Sequence, residues 1–137
     1  MKKGKKIQKR TRFLEFTSSD GFLILAGRNN LQNDRLTFKT ATKTDLWFHV
    51  KGYAGSHTVI ISEGKTIPDS TKTEAATIAA FYSGAKNSEK VAVDYTPIKN
   101  VKKPPLAKAG MVVYDNFKTA FVTPNDAFVG KLKKEVN

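Results

Sequence analysis

One short stretch of the chain holds its single tryptophan and both of its histidines: Asp45-Leu46-Trp47-Phe48-His49-Val50-Lys51, then Gly52-Tyr53-Ala54, then Gly55-Ser56-His57. Strict alternation places Leu46, Phe48 and Val50 on one face of a strand. Asp45, Trp47, His49 and Lys51 fall on the other. That second surface combines a carboxylate, an indole, an imidazole and an ammonium, and three readings of it are open. In the first, the rings stack on an unpaired base and hydrogen-bond to it, with aromatic stacking worth ~1–3 kcal/mol per base. In the second, Trp47 is core, covered by the Ala-rich helix read below, with His49 hydrogen-bonded behind it. In the third, Asp45, His49, Ser56 and His57 form a nuclease or hydrolase centre, or an Asp with two His binds a metal. The chain offers no further cluster of strong ligands and no nucleophile-elbow glycine pattern. The expectation is therefore a chain with no enzymatic activity, no cofactor and no metal. Gly55-Ser56 reads as a tight turn in which glycine supplies a positive φ, and whose backbone N–H groups can face a phosphate. His57, opening the next strand, is expected to cap that turn or contact phosphate.

The elements that must position these residues follow from pattern. Phe13–Thr17 and Phe22–Ala26 flank the turn Ser18-Ser19-Asp20-Gly21 and read as a hairpin. Next comes an amide-rich run, Arg28-Asn29-Asn30-Leu31-Gln32-Asn33-Asp34. Its amides can read base edges or sugar hydroxyls, and Arg28 can fork onto a phosphate. They can equally hold their own loop through Asx-turns and a helix cap. The expectation is a mixture, with Asn33 or Asp34 capping a short helix to Thr40 and Arg28 with Asn29 or Asn30 turned outward. After the central strand pair, which closes at Ile61, Pro68-Asp69-Ser70 leads into the clearest helix. Thr71 and Glu74 have capping-box spacing. Ala75, Ile78, Ala79 and Tyr82 share a face flanked by Ala76, Ala80 and Phe81, and so many alanines let the helix lie close on a sheet. Gly84 or Asn87 ends it. Val91–Tyr95 is a strand stopped by Thr96-Pro97. Met111–Tyr114 and Lys118–Thr123, joined by Asp115-Asn116, read as a second hairpin. Pro124-Asn125-Asp126 starts a last helix through Leu132. The fold class is α+β: a mainly antiparallel sheet built from hairpins, one main Ala-rich helix and short flanking helices.

Charge narrows the partner. Lys and Arg number 24 against 12 Asp and Glu, a formal net charge of +12 over 137 residues. Such a field concentrates polyanions, and nucleic acid is the first candidate. Lys2, Lys3, Lys5, Lys6, Lys9, Arg10 and Arg12 crowd residues 1–12 with no acid among them, which reads as a flexible basic arm or junction. The domain proper runs 13–137. A second cluster, Lys99, Lys102, Lys103 and Lys108, lies in a Pro-containing segment expected to be irregular. A third, Lys131, Lys133 and Lys134, lies near the C-terminus. No apolar run suits a signal peptide or a membrane span, and no membrane partner is expected. Cysteine is absent, which excludes disulfide frameworks, zinc knuckles and thiol nucleophiles and fits a cytoplasmic location.

Several motifs in order then carry a resemblance. They are Ser18-Ser19-Asp20-Gly21, Gly27-Arg28-Asn29-Asn30 with Gln32-Asn33-Asp34, Asp45-x-Trp47-Phe48-His49, and Gly55-Ser56-His57. Val93-Asp94-Tyr95-Thr96, Lys103-Pro104, Gly110, Tyr114 and Thr123-Pro124 extend it. The chain resembles the NFACT-R domain, found near the C-terminal end of ribosome-associated quality-control factors. The resemblance implies a non-catalytic RNA-binding module that docks on the large ribosomal subunit, on tRNA, or on both. Whole members of the family support untemplated alanine tailing of stalled nascent chains. Their tailing motif lies in an N-terminal domain outside the resemblance, so tailing is not assigned to this chain alone, whether it is an excised domain or a stand-alone protein. The RNA contacts so implied are Arg28, Asn29, Asn30, Asn33, Asp45, Trp47, His49, Lys51, Gly55, Ser56, His57, Lys99, Lys102 and Lys103. Bacterial members were also named fibronectin-binding proteins, which makes a protein-interaction or adhesin module, with fibronectin an extracellular partner of the parent protein, the alternative. A metal-dependent nuclease is the third.

Overall fold

The computed structural model describes residues 12–133. The basic arm and Lys134 thus lie outside the described residues, apart from Arg12. Among the described residues, eight strands and three α-helices follow one another as β1 (Leu14–Thr17), β2 (Leu23–Ala26), α1 (Asn30–Arg35), β3 (Leu46–Val50), β4 (Thr58–Ile61), α2 (Asp69–Phe81), β5 (Val91–Pro97), β6 (Val101–Lys102), β7 (Val113–Tyr114), β8 (Lys118–Val122) and α3 (Asp126–Leu132). Six strands form one sheet in the order β1-β2-β4-β3-β5-β8, with every neighbouring pair antiparallel. β6 and β7 pair separately as a short ribbon. The α+β class and the mainly antiparallel sheet agree with the sequence reading.

The sheet is covered on both faces, because β3 is apolar or aromatic at every position. On one face Phe16, Ile24, Phe48, Val50, Ile60 and Val93 pack under Ala75, Ile78 and Ala79 of α2, with Val129 and Leu132 of α3 beside them. The small alanine side chains allow that close approach, and each larger aliphatic group so buried contributes about 1.5–3 kcal/mol. On the opposite face Leu25, Trp47 and Val59 lie under Leu36 and Val101, with Phe38, Val112 and Tyr114 packed against them. That second cover consists of α1, the π-helical turn Leu36–Thr40 that continues it, and the β6–β7 ribbon.

Five local expectations are corrected. The capping-box pair does not cap α2: its N-cap is Pro68, which makes no side-chain bond. Glu74 instead accepts the Ser19 N–H at 2.9 Å, and the Thr71 hydroxyl lies 2.7 Å from Asp20 Oδ2, so both residues clamp the β1–β2 turn onto the helix. The helix also stops at Phe81, short of Gly84 and Asn87. The cap of α1 is Asn29, whose Oδ1 accepts the Gln32 N–H at 2.9 Å; neither Asn33 nor Asp34 does this work. Finally, Met111–Thr123 is not a hairpin. β7 pairs with β6 while β8 pairs with β5. Thr96 explains the parting: its hydroxyl lies 3.1 Å from the Asp115 carbonyl and 3.2 Å from that of Asn116, drawing this link against β5. β5 accordingly runs on through Thr96 and Pro97 rather than stopping before them.

Candidate nucleic-acid interface

Trp47 is fully buried, which removes it as an open stacking platform. Its cover is the α1 and ribbon layer, not the Ala-rich helix. His49 lies parallel to it, ring centroids 5.8 Å apart at 8°. Tyr114 packs at 4.9 Å and His57 meets its edge at 5.2 Å. His49 itself is half-buried and its other side faces a cleft. Burial lowers its pKa, so the ring is held towards neutrality.

His57 is a buried strut. Its Nε2 faces the Gly110 carbonyl at 3.2 Å and therefore carries the proton, so Nδ1 accepts from the Thr37 hydroxyl at 2.8 Å. Its backbone N–H donates to Asn33 Oδ1 at 3.0 Å, and its carbonyl accepts the Gly27 N–H at 3.1 Å. It neither caps the turn nor reaches solvent to meet a phosphate. Desolvation, then the neighbouring His49, pushes its pKa from 6.5 down to about 4. The folded state thus binds this proton less readily than the unfolded chain. The associated stability is complete above pH ~6.5 and is lost as pH falls towards ~4, a loss on the order of 3 kcal/mol. Urea midpoints measured across that window, with the His57 ring followed by NMR, should show this decline and a titration near the lower end. A His57 ring that titrates near 6.5, with flat midpoints, would contradict the assignment.

Asp45 is equally structural. Its Oδ1 accepts the Ser62 N–H at 2.9 Å and its Oδ2 the Thr42 N–H at 2.8 Å. It stands four residues from His49, about 13 Å along the strand. The carboxylate–histidine centre drawn from the sequence is therefore not assembled. Among the described residues no group of three or more His, Cys, Asp or Glu could hold a metal ion.

The turn after β3 and the amide run are stitched together by close approach. Gly55 has no positive φ; that role falls to Gly52, at +79°. Gly55 is needed because a Cβ there would sit 2.8 Å from the Ser83 Cβ. The Ser56 N–H is spent on the Tyr82 carbonyl at 3.0 Å and its hydroxyl on the Gly27 carbonyl at 2.7 Å, so this turn does not offer that N–H to a phosphate. Asn33 is buried against Gly27 and His57. Arg28, Asn29 and Asn30 stay exposed, as the mixture read from the sequence requires of Arg28.

Among the lysines the structure separates anchors from exposed cations. Lys103 Nζ lies 3.0 Å from Asp34 Oδ2 and 3.2 Å from the Met111 carbonyl. Asp34 also accepts the Gly110 N–H at 3.0 Å, so this pair fastens the loop before β7 to α1. Lys51 is half-exposed, 3.4 Å from Asp94 and 4.9 Å from the Phe117 ring centroid. Lys99, Lys102 and Lys108 are exposed, and so are Arg35, Lys39 and Lys43. All six belong to the layer over Trp47 and its connections, and the Lys99 N–H bonds to the Lys43 carbonyl at 3.3 Å. In the opposite, helical layer Lys72 lies 3.8 Å from Asp69, and the last helix carries Asp126 in its first turn and the exposed Lys131 in its last.

Residues 12–116 match the model of a known family, the NFACT protein RNA binding domain. The chain belongs to that family. It is 52% identical over 120 residues to the Rqc2 homolog RqcH of Bacillus subtilis, covering 87% of this chain and 20% of that protein. It is 35% identical over 86 residues to the human ribosome quality control complex subunit NEMF, covering 62% of this chain and 8% of that protein. The solved C-terminal part of the fibronectin/fibrinogen-binding protein of Streptococcus suis superposes with a TM-score of 0.86 at 43% identity, covering 90% of this chain and 49% of that one. The chain thus spans about a fifth of the length of its RqcH relative.

Sequence reasoning missed several residues that shape this NFACT RNA-binding domain. Tyr53 and Met111 flank the His49 cleft and are 51% and 60% exposed. Asp94, buried, accepts from Tyr114 Oη at 2.6 Å and Thr119 Oγ1 at 2.8 Å, which anchors the ribbon to the sheet. The i, i+4 spacing of Arg35 and Lys39 was the one signal in the sequence for the cations of α1 and its π-helical turn.

Proposed function

We propose that this NFACT RNA-binding domain docks on RNA of the large ribosomal subunit, on tRNA, or on both, within a cytoplasmic factor for stalled nascent chains. In the longer parent protein it would position the machinery that adds alanine tails and carry out no chemistry itself. The observation that carries the reading is the cluster of exposed cations in the layer over Trp47 and its connections, Arg35, Lys39, Lys43, Lys99, Lys102 and Lys108. Such groups neutralise backbone phosphates and release counterions without reading sequence.

The test is binding to purified large subunits and to tRNA across a salt series. Affinity should fall steeply with salt. Each phosphate contact contributes roughly 0.7–0.9 to the logarithmic slope, so Lys99→Ala/Lys102→Ala/Lys108→Ala should flatten it by roughly 2. Lys103→Ala should act instead on stability, through the freed Asp34. Binding that ignores both salt and the three lysines would sink the proposal. A second reading has one specific support, the fibronectin/fibrinogen-binding name of the solved streptococcal relative. Salt-independent capture of fibronectin by this chain would favour it.

A further inference from the structure

Two clefts meet at Asn30, Ala54 and Gly55. One, of about 440 Å³, is walled by His49, Tyr53, Met111 and Tyr114, with Trp47 behind. The other, of about 430 Å³, is lined by Arg28, Asn29, Ser56 and Tyr82 among others. Each volume suits a nucleotide-sized ligand. Neither lining contains a carboxylate, while Arg28 stands at the second. That charge pattern favours an anion and disfavours a basic peptide. The first cleft is aromatic and soft, the kind of surface on which a planar ring stacks, and the half-buried His49 ring already lies parallel to Trp47. Trp47 adds a second sign: its buried indole N–H has no acceptor among the described residues. Buried donors are paired as a rule, and Trp47 is among the residues that line this cleft.

We propose that the paired clefts form one site for an unpaired segment of RNA, a nucleobase lying against His49 between Tyr53 and Met111 and the adjoining phosphate at Arg28. This rests on the RNA-docking reading above and adds a single-stranded element to it. The exposed cations hold the phosphate backbone of structured RNA; the clefts take a base that has left its stack. Stacking of this kind tolerates any base, because every base has a π-face. Strong sequence preference is not part of the proposal.

The chain's only tryptophan makes the test direct, since Trp47 gives a single indole N–H resonance. The whole chain would be titrated with single-stranded oligouridine and oligoadenosine of about six nucleotides, within the usual range of single-strand site sizes. The comparison ligands are an abasic ribose-phosphate oligomer of equal length and a blunt RNA duplex. The single strands should shift the indole resonance, and the abasic oligomer and the duplex should not. Tyr53→Ala removes an exposed ring and should weaken single-strand binding about tenfold while leaving duplex binding unchanged. Arg28→Gln should weaken single-strand binding with the indole shift retained at saturation. The inference is overturned if single strands bind through Lys99, Lys102 and Lys108 with the indole resonance unmoved and Tyr53→Ala neutral; the docking reading then stands. It is also overturned if an apolar peptide shifts the resonance and no oligonucleotide does. If no RNA of any form binds at low salt, both readings fall together.

Discussion

Gly27→Ala should cost the domain about 4 kcal/mol, a loss at the upper end for a single methyl group. A Cβ at this position would lie 2.1 Å from Asn33 Oδ1 and 2.9 Å from the Asn33 backbone nitrogen. The backbone of α1 cannot withdraw freely, because Asp34 in the same helix holds Lys103 at 3.0 Å and accepts the Gly110 N–H at 3.0 Å. The Asn33 side chain cannot swing aside freely either, because its Oδ1 is the acceptor for the buried His57 N–H. Two costs therefore add: overpacking, typically 1–3 kcal/mol, and an orphaned buried donor, about 1–3 kcal/mol. In a domain of this size the melting midpoint should drop by roughly 15 °C. Gly130→Ala is the internal control. It lies in α3 with nothing within 4 Å of the added methyl, and should hold or raise the midpoint. Thermal denaturation of both variants decides the matter. An unchanged midpoint for Gly27→Ala would mean that β2, α1 and β4 do not meet as described.

That junction also shows where sequence reasoning succeeds and where it stops. The β1–β2 hairpin, the β3–β4 pair, the body of α2 and the Asn125-capped α3 were all legible, because α2 rests on local periodicity and the others add a local cap or turn. The identity of the α1 cap was not. Asn29, Asn30 and Asn33 share the same capping chemistry, and the choice among them is made from outside the helix, by Gly27 and the His57 N–H. The false hairpin fails for a related reason. The alternation of Met111–Thr123 suits a hairpin as well as two strands in different sheets, and the decision rests with Thr96 and Asp94, on another strand.

The site follows the same division. Proximity of Trp47, His49 and His57 was readable, since strand and turn geometry bring them together. Their exposures were not, because Trp47 is buried by a ribbon whose pairing the pattern did not reveal. Burial of His57 follows from Thr37 and Gly110, which come from a π-helical turn and a distant loop. Tyr53 and Met111 were unreadable as a pair for the same reason. They meet at one cleft only because the loop before β7 is fastened to α1 by Lys103 and Asp34. Lys103 itself looked like its neighbours in sequence, yet its ammonium is committed to that fastening.

The reading as an RNA-docking module turns on which face carries the charge, and charge reversal on one face against the other measures it. Lys99→Glu/Lys102→Glu/Lys108→Glu alters the layer over Trp47. Lys72→Glu/Lys131→Glu/Lys133→Glu alters the net charge equally on the helical side, where Lys72 already pairs with Asp69. Both triples would be compared with the parent chain for binding to purified large ribosomal subunits at one fixed ionic strength. The first triple should lose roughly a thousandfold in affinity, because it removes and then repels phosphate contacts. The second should lose about threefold or less, the effect of the overall field alone at that salt. Equal losses from both triples would show that net charge, not this face, attracts the RNA, and would contradict the docking surface assigned to it.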